Sequence, residues 1–199
     1  MRILYHLSDY VSFRASGLAY IECLKHLGHE VFTEPGALDA CDLAVLHGDP
    51  LEFARLSTAF PGLRQKPVAG YAVWEGNRLP EEFVEGLSLV DAVWTCSQYS
   101  RQSMLEAFPH TELLPHVVER RHIPAIAREK ARALMHGFSP DDFVFFSIID
   151  AINPRKNIKD LLFIFSRLRG EMRRTVQLLL KQYRASVDFS GIPGVHSLD

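Results

Sequence analysis

Two cations side by side, Arg155 and Lys156, sit in a polar loop between an apolar run at residues 143–149 and a segment with Leu161, Leu162, Phe165 and Leu168 on one helical face. Short apolar run, polar loop and amphipathic helix, in that order, is how a buried parallel strand feeds the first crossover of a nucleotide-binding α/β unit. Asn157 is placed to cap the helix, with Asp160 three positions on, where the acid of a capping box belongs. Cations beside a helix N-terminus, whose backbone N–H groups lack partners, make a seat for a phosphate or diphosphate. The same doublet also fits two solvated loop charges, because a lone basic pair is a weak motif.

The elements that would position such a site recur along the chain. Residues 3–7 read as a first strand; a loop through Ser8 and Phe13 leads to Ser16-Gly17, which open a helix ending near Leu27 with Gly28 as its stop. Further strands are expected at 30–33, 43–46, 68–73, 92–96 and 113–115. Between them, Asp49-Pro50 with Glu52 as box partner starts one helix. Pro80-Glu81-Glu82 starts another, with Phe83, Val84 and Leu87 on one face, and Met104, Leu105 and Phe108 form the apolar stripe of a third.

Short strands alternating with helices imply a Rossmann-like, doubly wound α/β fold with a mainly parallel sheet. Ligand chemistry in such sheets collects at the carboxyl-terminal ends of the strands. The segments that fall there are Ser8 to Gly17, His47-Gly48-Asp49, Trp74-Glu75-Gly76-Asn77 and Ser97.

The pattern runs from residue 2 to about 118 and restarts after 140, so a whole domain at 1–118 and part of a second at 119–199 are expected. Pro115 to Pro124 reads as a linker, and a helix with Ala131, Leu134 and Met135, stopped by Gly137, follows it. After the 143–149 strand and its helix come a strand at 176–180 with Lys181 at its end, then a Gly/Pro-rich final loop. The second part thus has two strands, too few to cover both of its sheet faces, so the apolar runs predict self-association.

Composition narrows the function class. Apolar residues make up 47% and charged residues 23% of the chain, as in an ordinary globular protein. A net charge of −2 without a basic stripe gives no reason to expect nucleic-acid binding. Cys23, Cys41 and Cys96 are odd in number and set in apolar surroundings, which reads as buried free thiols in a reducing compartment. No apolar run approaches the roughly 20 residues that span a bilayer, and the N-terminus lacks a signal-peptide core. A cytoplasmic protein is expected, with peripheral association at the inner membrane surface left open. The nine histidines lack metal-ligand spacing, so no metal site is expected.

At this point five segments resemble one family. They are Ser16-Gly17 with the helix ending in Leu27-Gly28-His29-Glu30-Val31; Trp74-Glu75-Gly76-Asn77-Arg78-Leu79-Pro80; Asp91 to Tyr99; Leu114-Pro115-His116-Val117-Val118-Glu119; and Asp150 with Pro154-Arg155-Lys156-Asn157. In that order and spacing they resemble GT-B fold glycosyltransferases of the large group 1 family. The resemblance implies an acceptor-side N-terminal domain and the start of a donor-nucleotide domain. It implies transfer of a sugar from a nucleotide-sugar to a glycan or lipid-linked acceptor, with the diphosphate neutralised by cations and a helix N-terminus and without a cofactor or essential metal.

On that resemblance Arg155, Lys156 and Lys181 bind the donor phosphates, Glu75 and His47 serve catalysis, and Ser16, Gly17 and Ser97 meet the acceptor. Each position also has a plainer reading: Glu75 as a solvated carboxylate, His47 as a loop cap, Ser97 as a helix cap, Ser16-Gly17 as a helix start. Two departures stand out. The family's Gly-Arg after the first strand of the second domain is here Ile149-Asp150, and the chain ends before the family's paired glutamates, which grip the donor. A truncated form without turnover is therefore expected. The rival classes are a non-catalytic Rossmann-like binding or dimerisation module and a sugar-nucleotide epimerase.

Overall fold

Period-two alternation in Arg2–Leu7 (β1) sends Ile3 and Tyr5 to one face of a sheet and Leu4 to the other, and all three are buried. The strands that join it are Glu30–Phe32 (β2), Leu43–His47 (β3), Val68–Tyr71 (β4), Ala92–Thr95 (β5) and Thr111–Leu113 (β6). All pair in parallel, in the order β2-β1-β3-β4-β5-β6. The structure is a computed structural model and describes residues 1–118, 126–133, 138–184 and 186–198. It divides into two units, Met1–Arg121 and His122–Asp199.

Helices cover both faces of the six-stranded sheet. On one side Ile3, Tyr5, Val45 and Tyr71 pack with Tyr20 and Ile21 of α1 (Val11–His26). On the other, Leu4, Ala44 and Leu46 pack with Phe53 of α2 (Pro50–Ala59), Leu87 of α3 (Glu81–Leu87) and Met104 of α4 (Gln98–Leu105). This is a Rossmann-like α/β layer arrangement.

Several local expectations need correction. Helix α1 begins at Val11, so Ser16 and Gly17 lie inside it and do not open it. Gly17 is buried, and a Cβ there would run into the Leu7 side chain and come within 3.2 Å of His47 Nδ1. The glycine marks a close helix–strand approach. Gly28 does end the helix, with a φ of 83° that favours glycine.

Asp49 caps α2 by accepting from the Leu51 N–H at 2.9 Å, yet Glu52 closes no capping box with it. Its Oε1 accepts from Ser8 Oγ at 3.0 Å instead. In α3, Phe83 and Leu87 are buried while Val84 is exposed, and Phe108 lies beyond the end of α4. Of the three free cysteines only Cys41 is buried; Cys96 is half-buried and Cys23 lies exposed on α1.

The second unit holds a parallel sheet of Phe143–Ile149 (β7), Val176–Gln182 (β8) and Val195–Leu198 (β9), in that order. The last of these falls in the stretch expected as a loop. The turn that ends at Gly194, with a φ of 77°, delivers Val195 beside Leu178, where it is buried. Lys181 lies within β8, in register with Ile148 and Leu198, and not at the strand end.

Helix α6 (Ile158–Glu171) packs Phe165 against Leu178, Leu180 and Val195. The continuous apolar run of β7 led to an expectation of burial that the structure contradicts. Only Ile149 is buried, while Phe146 and Ile148 are 57% and 63% exposed. Among the described residues β7 pairs only with β8, at the edge of its sheet. Of the expected helix before it, α5 (Arg128–Ala133) is seen. Leu134, Met135, Gly137 and the 119–124 part of the expected linker lie outside the described residues. Among the described residues no helix is long and apolar enough to cross a membrane.

Candidate functional site

The carboxyl-terminal ends of β1, β3 and β4 bring a chain of uncharged polar groups together. His47, the last residue of β3, is 0% exposed. Its Nδ1 shares a 2.7 Å hydrogen bond with the Tyr5 hydroxyl and its Nε2 a 3.0 Å bond with Ser16 Oγ. Ser16 Oγ also reaches the carbonyls of Ser12 and Phe13, at 3.1 and 3.0 Å. One assignment satisfies every donor: Ser16 donates to a helix carbonyl and accepts from Nε2–H, and the Tyr5 O–H donates to Nδ1.

The His47 ring stacks on Tyr71 with centroids 4.2 Å apart. Burial, with a smaller contribution from His116, pushes the imidazole down to about 3, so it is neutral at pH 7. Burial likewise raises the Tyr5 and Tyr71 phenols, which stay as hydroxyls. The Tyr20 hydroxyl lies 3.1 Å from that of Tyr71, 2.9 Å from the Leu114 carbonyl and 2.6 Å from the Pro115 carbonyl. Tyr71 in turn reaches His116 Nδ1 at 3.2 Å.

Of the residues expected at this edge, Ser16 and His47 are therefore hydrogen-bonded, and Gly17 leaves the space beside the same ring that a Cβ would fill. Glu75 stands exposed on the loop that follows β4. That loop is fastened by Trp74 Nε1 donating to the Arg78 carbonyl at 2.6 Å and Ser100 Oγ donating to the Trp74 carbonyl at 2.6 Å. Ser97 caps α4, its Oγ accepting from the Ser100 N–H at 3.1 Å. The tyrosines were not singled out from the sequence. Tyr71, the last residue of β4, pairs with His47, and Tyr5 pairs with Val45 two positions before it, so alternation alone would have put both on its face.

In the second unit, the loop after β7 carries Arg155 and Lys156 in a short 3-10 turn, Pro154–Lys156, with both side chains exposed. Asn153 accepts from the Arg155 N–H at 3.0 Å and so caps this turn. Asn157 has a left-handed backbone, φ 49°, and makes no side-chain cap bond to α6. Its Nδ2 donates to Asp160 Oδ2 at 2.7 Å, so the expected capping box is a side-chain pair instead. Asp150, one residue past β7, is 2% exposed with Oδ2 3.6 Å from Arg184 Nη1. The sequence singled out Asp150 with Pro154 to Asn157 as a resemblance segment and as a departure from the family's Gly-Arg, but gave no sign of Arg184, because the two lie 34 positions apart with no motif joining them.

Among the described residues no group of three or more His, Cys, Asp or Glu is placed to hold a metal ion. The chain matches no protein-family model and no curated protein.

Proposed function

We propose that this chain comprises the acceptor-side domain and the start of the donor domain of a GT-B-type glycosyltransferase, which moves a sugar from a nucleotide-sugar to a glycan or lipid-linked acceptor. The observation that carries the reading is the exposed Arg155-Lys156 pair between the first strand of a second parallel sheet and the 14-residue helix α6. A departing diphosphate needs its charge neutralised, and two cations beside a helix N-terminus supply that without a metal. Lys181 adds positive charge near the same end of β8. In the first unit, Glu75 orients an acceptor hydroxyl from its exposed loop, with Ser97 on the neighbouring one. His47 is enclosed, so its part is to fix the hydroxyl of Ser16 beside Gly17; it is a positioning residue.

Titration calorimetry with a panel of nucleoside-diphosphate sugars tests the reading. Replacing Arg155 and Lys156 together by alanine is expected to weaken binding by about 3 kcal/mol, since each charge-assisted bond contributes about 1.5 to 3 kcal/mol. Unchanged affinity in the double variant would remove the donor-site assignment.

A second reading, a non-catalytic module that pairs with itself, is favoured by the exposed Phe146 and Ile148 on edge strand β7. Light scattering is expected to show self-association that Phe146→Lys abolishes. A wild-type chain that stays strictly monomeric would end this reading.

A further inference from the structure

Among the described residues, the two non-glycine residues with positive φ, Asn157 at 49° and Arg184 at 70°, both lie on loops leaving the carboxyl-terminal edge of the second sheet. Asn157 ends the loop after β7 and Arg184 follows β8. Left-handed backbone at side-chain-bearing residues persists only where the surroundings over-determine it, and such positions gather at ligand sites.

The loop after β8 is over-determined in this way. Gln182, buried at its root, donates through Nε2 to the Val187 carbonyl at 2.8 Å and accepts the Val187 N–H on Oε1 at 2.9 Å. The Tyr183 N–H donates to the Ile149 carbonyl at 3.3 Å, which joins this loop to the end of β7. Between those two fixings stands Arg184, its guanidinium about half exposed and ion-paired at 3.6 Å with Asp150 Oδ2.

Asp150 is the unusual member. Its carboxyl is almost wholly enclosed, and Oδ1 is buried without a hydrogen-bond partner. The Asn153 N–H is taken by the backbone carbonyl of Asp150, not by its side chain. A buried carboxylate with one oxygen unmatched is poor economy for stability alone, because apolar packing does as well without the desolvation. It makes sense as a fixed negative charge that aims a cation. A guanidinium offers its donors in a planar fork that suits phosphate oxygens.

We propose that Arg184 binds a diphosphate at the sheet edge that also carries Arg155 and Lys156, and that Asp150 is the residue that positions it. The proposal rests on reading that edge as the donor-phosphate site, and it adds a cation from the loop after the second strand of this sheet to those after the first. Asp150 touches no ligand; it acts through Arg184.

The test uses the full 199-residue chain, with inorganic pyrophosphate as the first probe and a nucleoside-diphosphate sugar as the second. Arg184→Ala is expected to weaken pyrophosphate binding about tenfold and to flatten its dependence on salt, because one cation leaves the site. Arg184→Lys should recover part of the affinity. Asp150→Asn should weaken binding severalfold with the salt dependence kept, since the cation remains but is no longer aimed. A merely structural Asp150 would move the melting temperature and leave affinity alone, and that result overturns its assigned role. Arg184→Ala within twofold of wild type, or no pyrophosphate binding by the wild type, overturns the site. If pyrophosphate binds through Arg184 while nucleotide-sugars do not, the site stands and the transferase reading falls. Should Asp150→Asn fail to fold, the half-exposed Arg184 variants still decide the matter.

Discussion

The two parallel sheets end in opposite kinds of polar chemistry. At the carboxyl-terminal edge of the first, a neutral imidazole is hydrogen-bonded to a phenol and a serine hydroxyl and stacked on a second phenol that bonds a third, and the imidazole is closed to solvent. At the same edge of the second, Arg155 and Lys156 stand exposed and Arg184 about half exposed, on loops with left-handed turns. The physics behind the contrast is desolvation. Uncharged groups can be buried once their hydrogen bonds are made, whereas a cation is kept near water unless a carboxylate accompanies it. One topology therefore hosts a buried hydrogen-bonded cluster in one place and a charged, exposed rim in another. Stability is expected to reside in the first edge and affinity for anions in the second.

The largest expected effect comes from crowding the first edge. Gly17→Val puts branched carbons against Leu7 and the fixed His47 ring, and should destabilise the first unit by about 3 kcal/mol, the upper part of the overpacking range. Chemical denaturation would read it. A loss below about 0.5 kcal/mol would mean that this edge is loosely packed and the contrast overstated.

Acid should come next. His47 is held near 3 against an ordinary 6.5, so between those values the unfolded chain binds the extra proton. Its contribution is fully present above pH 6.5 and fades as pH falls towards 3. By pH 5 the loss should reach about 2 kcal/mol, and burial of His6, also lowered, acts in the same direction. Urea unfolding midpoints that stay flat from pH 7 to pH 5 would contradict a buried neutral imidazole.

The smallest effect sharpens the other side. The Arg155→Ala, Lys156→Ala double variant should melt within about 0.5 kcal/mol of wild type, since both side chains are exposed and the backbone N–H that Asn153 caps is kept in alanine. A large stability loss there would show that the second rim is structural too.

Alternation and turn residues are local signals, so most strands were legible in the sequence, although β6 lies at Thr111–Leu113 where 113–115 was expected. Gly28 announced a helix end, and residues 143–149 formed the strand they suggested. What failed was set by distant partners. Ser16-Gly17 looked like a helix start, when its real meaning is the approach of Leu7 and His47. β9 hid in a Gly/Pro-rich stretch because its pairing with β8, not its composition, makes it a strand. The apolar run of β7 suggested burial on both faces, but period and composition cannot say how many neighbours a strand has. The Tyr–His cluster draws on positions 5, 20, 47, 71 and 116, a set that no local window contains. For the rim, the basic doublet was legible as a motif, whereas Arg184 acquires its meaning only from Asp150.

Tyr20 has a consequence in time as well as in space. Its hydroxyl meets the carbonyls of Leu114 and Pro115, which are 94 and 95 positions further along the chain. A ribosome delivers α1 early and those carbonyls late, so the nascent unit must wait with this clasp open. During that interval the phenol lacks its two carbonyl acceptors and has only the Tyr71 hydroxyl and water to bond, and the stack of rings behind it has no lid. Native closure of the unit is then an event tied to the emergence of residue 115, and synthesis paused before that point would leave an unlatched intermediate.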